Sequence, residues 1–504
     1  MDTNFYDVIV CGAELAGVVA AALLGRRGLR VLLLGHDLQR PTFEAAGFVL
    51  SRGPALLPSP DSPALARVLK ELSLVQVVRR RALPVVGGFQ VALPRHRFDV
   101  PPDAAVLRRE LDREWPRDRT TIEDGIARLA KISALLDPLL ATEMTLPADG
   151  FWERREMARF ESQLPRPGLD PLAPLDASHP FRSAAGAVGA LGTGFGPGDI
   201  GAVTLARAFA EARQGPFRLE GAEGALWTLF LEKIETFAGE RREKVLPVEI
   251  VQQRGKAVGL RVRPRDETIG CKTLVWAGPA ATALPLLGES PTRRARDAAQ
   301  ALRPVCYRYA LSLLVKPQAL PEGMGPRVLA IADPRRAPLE ENALSVTVGI
   351  PSSREPDRVP VWVECLVPAA AVEAGPGHLA ALRGRVREQL GRLLPFFDQH
   401  LVVLASPHDG LPAEVPGAAP GKPVPVPAQL MAPVYSSEQV RSFDPGGIGH
   451  GALGIKNLYV LGRENLPGLG VEGDFVSAWG LARLLTTSRP RRDILRRRIL
   501  VGEG

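Results

Sequence analysis

The sequence predicts an α/β protein of more than one lobe, on three observations. A strand, a glycine-bearing turn, a small-residue helix and a second strand open the chain. A strand, a glycine-rich loop and another small-residue helix close it. Between these anchors, helical apolar spacing gives way to short β-branched runs separated by Pro and Gly. At 504 residues the chain is also long for a single core.

The opening unit reads YDVIVCGAELAGVVAAALLGRRGLRVLLLGHD. YDVIVC is an apolar, β-branched run of the kind buried in parallel sheets. Leu15 to Leu24 is small and apolar, a helix able to pack closely on a sheet, and Gly28 stops it. RVLLL then supplies the second strand, completing a Rossmann-like βαβ unit. A dinucleotide turn needs G-x-G-x-x-G: one glycine for the turn, one for backbone approach to the pyrophosphate, one for helix–strand packing. Here the three positions are Gly12, Glu14 and Gly17. Glu14 removes the phosphate contact and brings a second negative charge. Gly35 stands where an acid ordinarily holds the ribose, with His36 and Asp37 following.

The intervening segments fill a second lobe. Residues 104–145 carry helical spacing, and the glycine- and alanine-rich stretch 181–202 reads as a close-packed helix pair or a small-residue ligand wall. Runs at 307–315, 326–332, 344–350 and 361–367 predict an antiparallel sheet. The segment from Gly377 reads as an amphipathic helix ending near Pro395, with a strand after it. Residues 411–433 hold seven prolines and are expected to form a loop.

Composition excludes several classes. Lys plus Arg exceed Asp plus Glu by 63 to 55, a net charge of +8, which is modest for a nucleic-acid binder; no nucleic-acid partner is expected. The four cysteines are scattered with no metal-ligand spacing, so neither a disulfide framework nor a metal site is expected. No apolar run is long enough to span a membrane, and a cytoplasmic location is expected. The seven histidines are isolated, and no nucleophile elbow, metal-binding helix or P-loop motif is present, so no side-chain catalyst is evident.

The closing segment NLYVLGRENLPGLGVEGDFVSAWGLARLL (457–485) resembles the C-terminal flavin motif of the phytoene desaturase, amine oxidase and Rab GDP-dissociation inhibitor superfamily. Residues 219–262 and TLVWAGPAATALPLL (273–287) are similar to that superfamily's middle segments, in the same order. The resemblance implies an FAD-type domain built from 1–100, 219–290 and 434–504, and a substrate-type α+β lobe from 101–218 and 291–433. It places the cofactor site at Gly12, Glu14, Gly17, Gly35, Gly462, Arg463, Gly468, Gly470 and Gly473. The family pattern has Gly-Asp where this chain has Gly462-Arg463. With Glu14, Gly35 and Arg463 all altered, the site is degenerate, and Glu14 is expected to pair with Arg463 in place of a ligand.

Two functions follow from the resemblance. In one, the chain is a relative without FAD that binds an apolar, isoprenoid- or lipid-like molecule or a lipidated protein. In the other, it is an FAD-dependent oxidoreductase acting on a large hydrophobic substrate. The C-terminal RPRRDILRRRILVGEG carries six arginines within 489–498 around an apolar stripe. Pro490 is expected to separate it from the preceding helix, leaving it to pack on the domain or to touch an anionic membrane surface.

Overall fold

The computed structural model describes residues 5–501, leaving out 13, 36–39, 60–61, 86, 149, 221–223, 289–290, 353–354, 420, 423–430, 439–440 and 442, and the side chains of 152 and 488–501. His36, Asp37 and much of the proline-rich loop therefore lie outside the described residues.

The opening βαβ unit forms as its sequence predicts. Strand β1 (Phe5–Cys11) leads into helix α1 (Leu15–Arg26), and β2 (Val31–Leu34) returns parallel to β1. Successive residues of a buried strand point to opposite faces. Val8, Val10, Val31 and Leu33 accordingly meet α1 on one side, while Ile9, Cys11, Leu32 and Leu34 enter a separate core on the other. Helix α1 is buried from Ala16 to Gly25 and lies against both Ala225–Thr236 and the closing helix. The full sheet runs Leu246–Gln253, Lys256–Arg263, Glu267–Ala277, β1, β2, Glu240–Arg242. The closing strand Leu458–Leu461 pairs in parallel with the end of Glu267–Ala277. Chain start, middle and end thus converge on one nucleotide-type sheet.

The second lobe is built on an eight-stranded sheet ordered Leu401–Ala405, Leu302–Val315, Val359–Pro368, Ala343–Val348, Arg327–Ile331, Phe89–Ala92, Arg97–Val100, with Pro433–Ser437 also pairing Leu302–Val315. One face of this sheet packs on the amphipathic helix Pro376–Leu393 through residues such as Leu311, Val363, Leu382 and Val386. The other face looks toward the nucleotide-type domain. The stretch 181–202 holds one helix, Pro180–Gly192, and a loop rather than a helix pair, and the helix packs on the next one, Ala202–Gln214.

Three other expectations need correction. The first segment does not stay in the nucleotide-type domain to residue 100, because Phe89–Ala92 joins the second sheet in parallel with Arg327–Ile331. Gln90 fixes that crossing by bonding the Gly323 carbonyl and the Gly325 amide. Similarly, the segment beginning at 434 opens with a strand of the second sheet. Finally, Pro490 does not end the closing helix, which runs from Gly470 to Val501. Proline's fixed φ is compatible with a helix, and the change removes an N–H donor from the ladder. Among the described residues no helix is long and apolar enough to cross a membrane.

Candidate cofactor and ligand site

A cavity of about 800 Å³ runs from the β1–α1 turn to the inner face of the second sheet. The turn end is lined by Gly12, Glu14, Gly35, Arg463, Glu464 and Asp474, and the sheet end by Arg52, Arg308, Arg327, Ser345 and Glu364. Much of the wall between is apolar, including Leu57, Phe89, Val188, Leu191 and Leu329.

At the turn, two of the three glycine functions survive. Gly12 has φ of 105°, the left-handed region that suits glycine, and its amide bonds the Leu34 carbonyl. A Cβ on Gly17 would lie 2.7 Å from Ala277 Cβ and 2.8 Å from the Gly12 carbonyl oxygen, so helix and sheet meet only because it has none. The remaining closing-segment glycines act in the same way. Added Cβ atoms at Gly468, Gly470 and Gly473 would lie 2.5 Å from Pro445 Cα, the Gly192 carbonyl and the Leu466 carbonyl respectively. Gly17, Gly470 and Gly473 hold backbones together behind the cavity and Gly462 leaves room for the Glu14 carboxyl, whereas Gly12, Glu14, Gly35, Arg463 and Gly468 face it.

Glu14 occupies the position of the second glycine and stands immediately before α1 without capping it. Its Oε2 lies only 3.3 Å from where a Cβ on Gly462 would be, so it crosses toward the closing strand. Burial, with Asp474 adding to it and Arg463 opposing, pushes the Glu14 carboxyl up to about 7.

The expected Glu14–Arg463 ion pair is not formed. Arg463 Nη2 bonds Asp474 Oδ2 at 2.7 Å instead. Asp474 lies on the closing helix, eleven residues on from Arg463, and takes its guanidinium. Asp474 stands in GVEGD, but its spacing from Arg463 gives no sign of the pairing. Glu464, beside Arg463, accepts from the Ala280 amide at 2.8 Å and from the Tyr435 hydroxyl. Burial and the nearby Glu14 raise it to about 7, against the pull of those hydrogen bonds.

A second acidic group braces the middle of the cavity. Arg207 donates to both oxygens of Glu472, at 2.7 and 2.6 Å, and to Asp137 at 2.9 Å. Ser62 adds a hydrogen bond to Glu472 at 2.6 Å. Burial opposes the Arg207 charge, but Glu472, Glu211 and Asp137 together hold its proton more tightly than usual. Glu211 accepts from the Ser59 amide at 2.8 Å and is pushed up to about 7 by burial and by Glu472.

At the sheet end, strand period and register place Arg308, Glu364, Ser345, Leu329 and Arg327 on one face: Glu364 lies opposite Ala310 and Ser345, and Ser345 opposite Leu329. Arg308 donates to the Leu191 carbonyl at 2.6 Å and to that of Thr193. Arg327 donates to Ala212 at 3.3 Å, and burial pushes it down to about 10 with Glu364 and Glu211 opposing. Arg52 is lowered by burial alone. Glu364 is raised by burial although Arg308 and Arg327 oppose it. Among the described residues, no group of His, Cys, Asp and Glu could hold a metal ion.

The three carboxyls near 7 give a signed prediction. Each binds its proton more tightly folded than unfolded, so its contribution to stability is full below about 4.5 and is lost as pH rises through about 7. Glu14→Gln is expected to flatten the fall in melting temperature between pH 5 and 8, reducing proton uptake on folding by up to about one. Parallel pH dependences for the two proteins would contradict the assignment.

Residues 10–72 match the family described as NAD(P)-binding Rossmann-like domain. The chain superposes on an oxidoreductase from Methanosarcina mazei with TM-score 0.58 and 16% identity, covering 94% of this chain and 99% of that one. It superposes on a putrescine oxidase triple mutant from a redesign of cofactor binding with TM-score 0.60 and 14% identity, covering 96% and 99%. For cyclohexylamine oxidase from Brevibacterium oxydans the values are 0.55 and 12%, covering 96% and 99%. No curated protein matches the chain by sequence. The chain therefore has the two-lobed fold of the superfamily whose motifs it resembles, with a dinucleotide-binding type of domain.

The fold implies FAD, and the turn does not fit its ionised diphosphate. The Glu14 carboxylate lines the cavity at the position where backbone should meet phosphate. The carboxylates nearest to it, Asp474 and Glu464, add negative charge, and the Arg463 guanidinium is already bonded to Asp474.

Proposed function

We propose that this chain is an oxidoreductase-fold protein that does not hold FAD in the ordinary way at neutral pH and uses its cavity to bind an apolar, isoprenoid- or lipid-like molecule. The Glu14 carboxylate at the phosphate position carries this reading. The apolar wall between turn and sheet supports the ligand class, since burying a hydrocarbon chain there gains about 25 cal/mol per Å² removed from water. The chain's own residues then act by shape and charge: Gly17 lets α1 meet the sheet, Gly470 lets the closing helix meet Gly192, Arg207 and Glu472 brace the wall, and the sheet supplies the floor. A free lipid and the lipid arm of a modified protein offer the same chain. Native mass spectrometry of the purified protein, with organic extraction, distinguishes a small apolar molecule from a protein partner; an empty cavity that takes up neither when offered would refute the reading.

The second reading, an active FAD-dependent oxidoreductase, is favoured by one observation. With its carboxyl near 7, Glu14 is uncharged in part of the population, and a protonated carboxyl can donate to a phosphate oxygen. On this reading FAD binds at least about tenfold more tightly at pH 6 than at pH 8, in proportion to the protonated fraction, and Glu14→Gln abolishes the difference.

The arginine-rich tail is proposed as a reversible contact with anionic membrane, each basic residue contributing about 1 kcal/mol near the lipid surface. Full-length protein should co-sediment with phosphatidylserine vesicles at low salt, and a chain ending at Ser488 should not. Equal sedimentation of the two would make the tail purely structural.

A further inference from the structure

We propose that the sheet end of the cavity is an anion subsite, in which Arg52, Arg308 and Arg327 receive the carboxylate or phosphate headgroup of a ligand whose apolar chain lies along the wall toward the turn. The inference deepens the reading of the cavity as a ligand site and rests on it.

The cavity is polarised. Its turn end holds Glu14, Glu464 and Asp474, with Arg463 bonded to Asp474. Its sheet end holds three guanidinium groups and, on the same face, one carboxylate, Glu364. Among the described residues none of the three arginines makes an ion pair within 4.0 Å with Glu364 or any other acid. Arg308 and Arg327 satisfy some of their donors on main-chain carbonyls, which orient a guanidinium without neutralising it. Arg52 Nε is buried with no hydrogen-bond partner. Glu211 also acts on Arg327, but it lies 3.8 Å from Arg207, whose guanidinium it shares with Glu472.

Buried cations in excess of anions are costly unless something compensates them. Among the described residues no acid lies within ion-pair distance of Arg52, and the histidine it influences, His408, is held down to about 3 by burial and by Arg52. An incoming anion supplies the missing charge, and guanidinium groups match the planar oxygens of carboxylate and phosphate. The same excess repels a cationic amine. The apolar stretch beyond Arg52, through Leu56 and Leu57, places a hydrocarbon chain next to the headgroup.

The test uses full-length protein and four twelve-carbon probes below their micellar concentrations: dodecanoate, dodecyl phosphate, dodecanol and dodecylamine, titrated by calorimetry at pH 7.5. The two anions are expected to bind at least about tenfold more tightly than dodecanol, with dodecylamine weakest. Whichever anion binds more tightly identifies the headgroup class. Arg52→Gln should weaken both anions at least about tenfold and leave dodecanol unchanged. Its melting temperature should be no lower, because among the described residues the Arg52 side chain makes no ion pair and its buried Nε has no hydrogen-bond partner. Arg327→Gln, assayed in parallel, should lower anion affinity in the same direction. Dodecanol binding as tightly as the anions, dodecylamine binding more tightly, no binding by any probe, or an Arg52→Gln protein with unaltered selectivity would each overturn the proposal. Flavin content measured on the same preparation separates the two failures: a full complement of flavin refutes the proposed function, while headgroup selectivity is decided by the titrations alone.

Discussion

Arg207→Ala is expected to destabilise the protein by about 3–5 kcal/mol, the range for breaking a buried ion pair by removing one partner. Arg207 sits on the second-lobe helix Ala202–Gln214, while Glu472 sits on the closing helix of the nucleotide-type domain. The bidentate bond between them ties the lobes across the cavity wall. Without Arg207, Glu472 remains 2% exposed with Glu211 beside it, and two buried carboxylates face each other. Most of the loss is therefore the penalty of an uncompensated charge. The double change Arg207→Met with Glu472→Gln should recover much of it, because the charge is removed along with its partner. Denaturant unfolding of the single and double variants checks this; additive losses would show that the pair does not act as a unit.

Glu14→Gly alone is expected to raise FAD affinity by roughly ten- to a hundredfold at pH 7.5. With its carboxyl near 7, Glu14 can take up a proton as the diphosphate binds, so its charge alone costs about fourfold at pH 7.5, and freeing the backbone's approach to the phosphate supplies the rest. The structure also corrects the companion change suggested by the family pattern. Arg463→Asp would not restore a site, because Arg463 is the partner of Asp474. It would leave two acids in contact, with Glu14 and Glu464 beside them, and should weaken both folding and nucleotide binding. Fluorescence titration with FAD across the three proteins reads the order directly: Glu14→Gly tightest, wild type next, Arg463→Asp weakest.

The fold was largely legible because its signals are local and periodic. The β1–α1–β2 unit, the glycine loop before the closing helix and the β-branched strand runs each declare themselves within a short window. Phe89–Ala92 was assigned to the wrong sheet because nothing within the segment records a parallel partner more than two hundred residues away. The turn end of the site was legible from motif departures, and Glu14, Gly35 and Arg463 do line one cavity. Their pairing was not, since Arg463 chose between two acids by geometry that spacing does not encode.

The sheet end was missed altogether. Its signal was present in VWVECLV, where a carboxylate interrupts an otherwise apolar strand, and in the arginines of YRYAL and PRVLA. An ionisable residue in such a run is either an edge decoration or the lining of a buried site. Only the register that sets Glu364 opposite Ser345, and Ser345 opposite Leu329, shows the charged residues sharing one face.

The central claim is that the nucleotide turn is closed to an ionised diphosphate at neutral pH. The most direct test is the visible spectrum of the full-length protein purified at pH 7.5, recorded over roughly 350–500 nm where flavins absorb, with the released cofactor quantified after denaturation. The account predicts a colourless protein carrying far less than one flavin per chain. A yellow protein with one flavin per chain would contradict it.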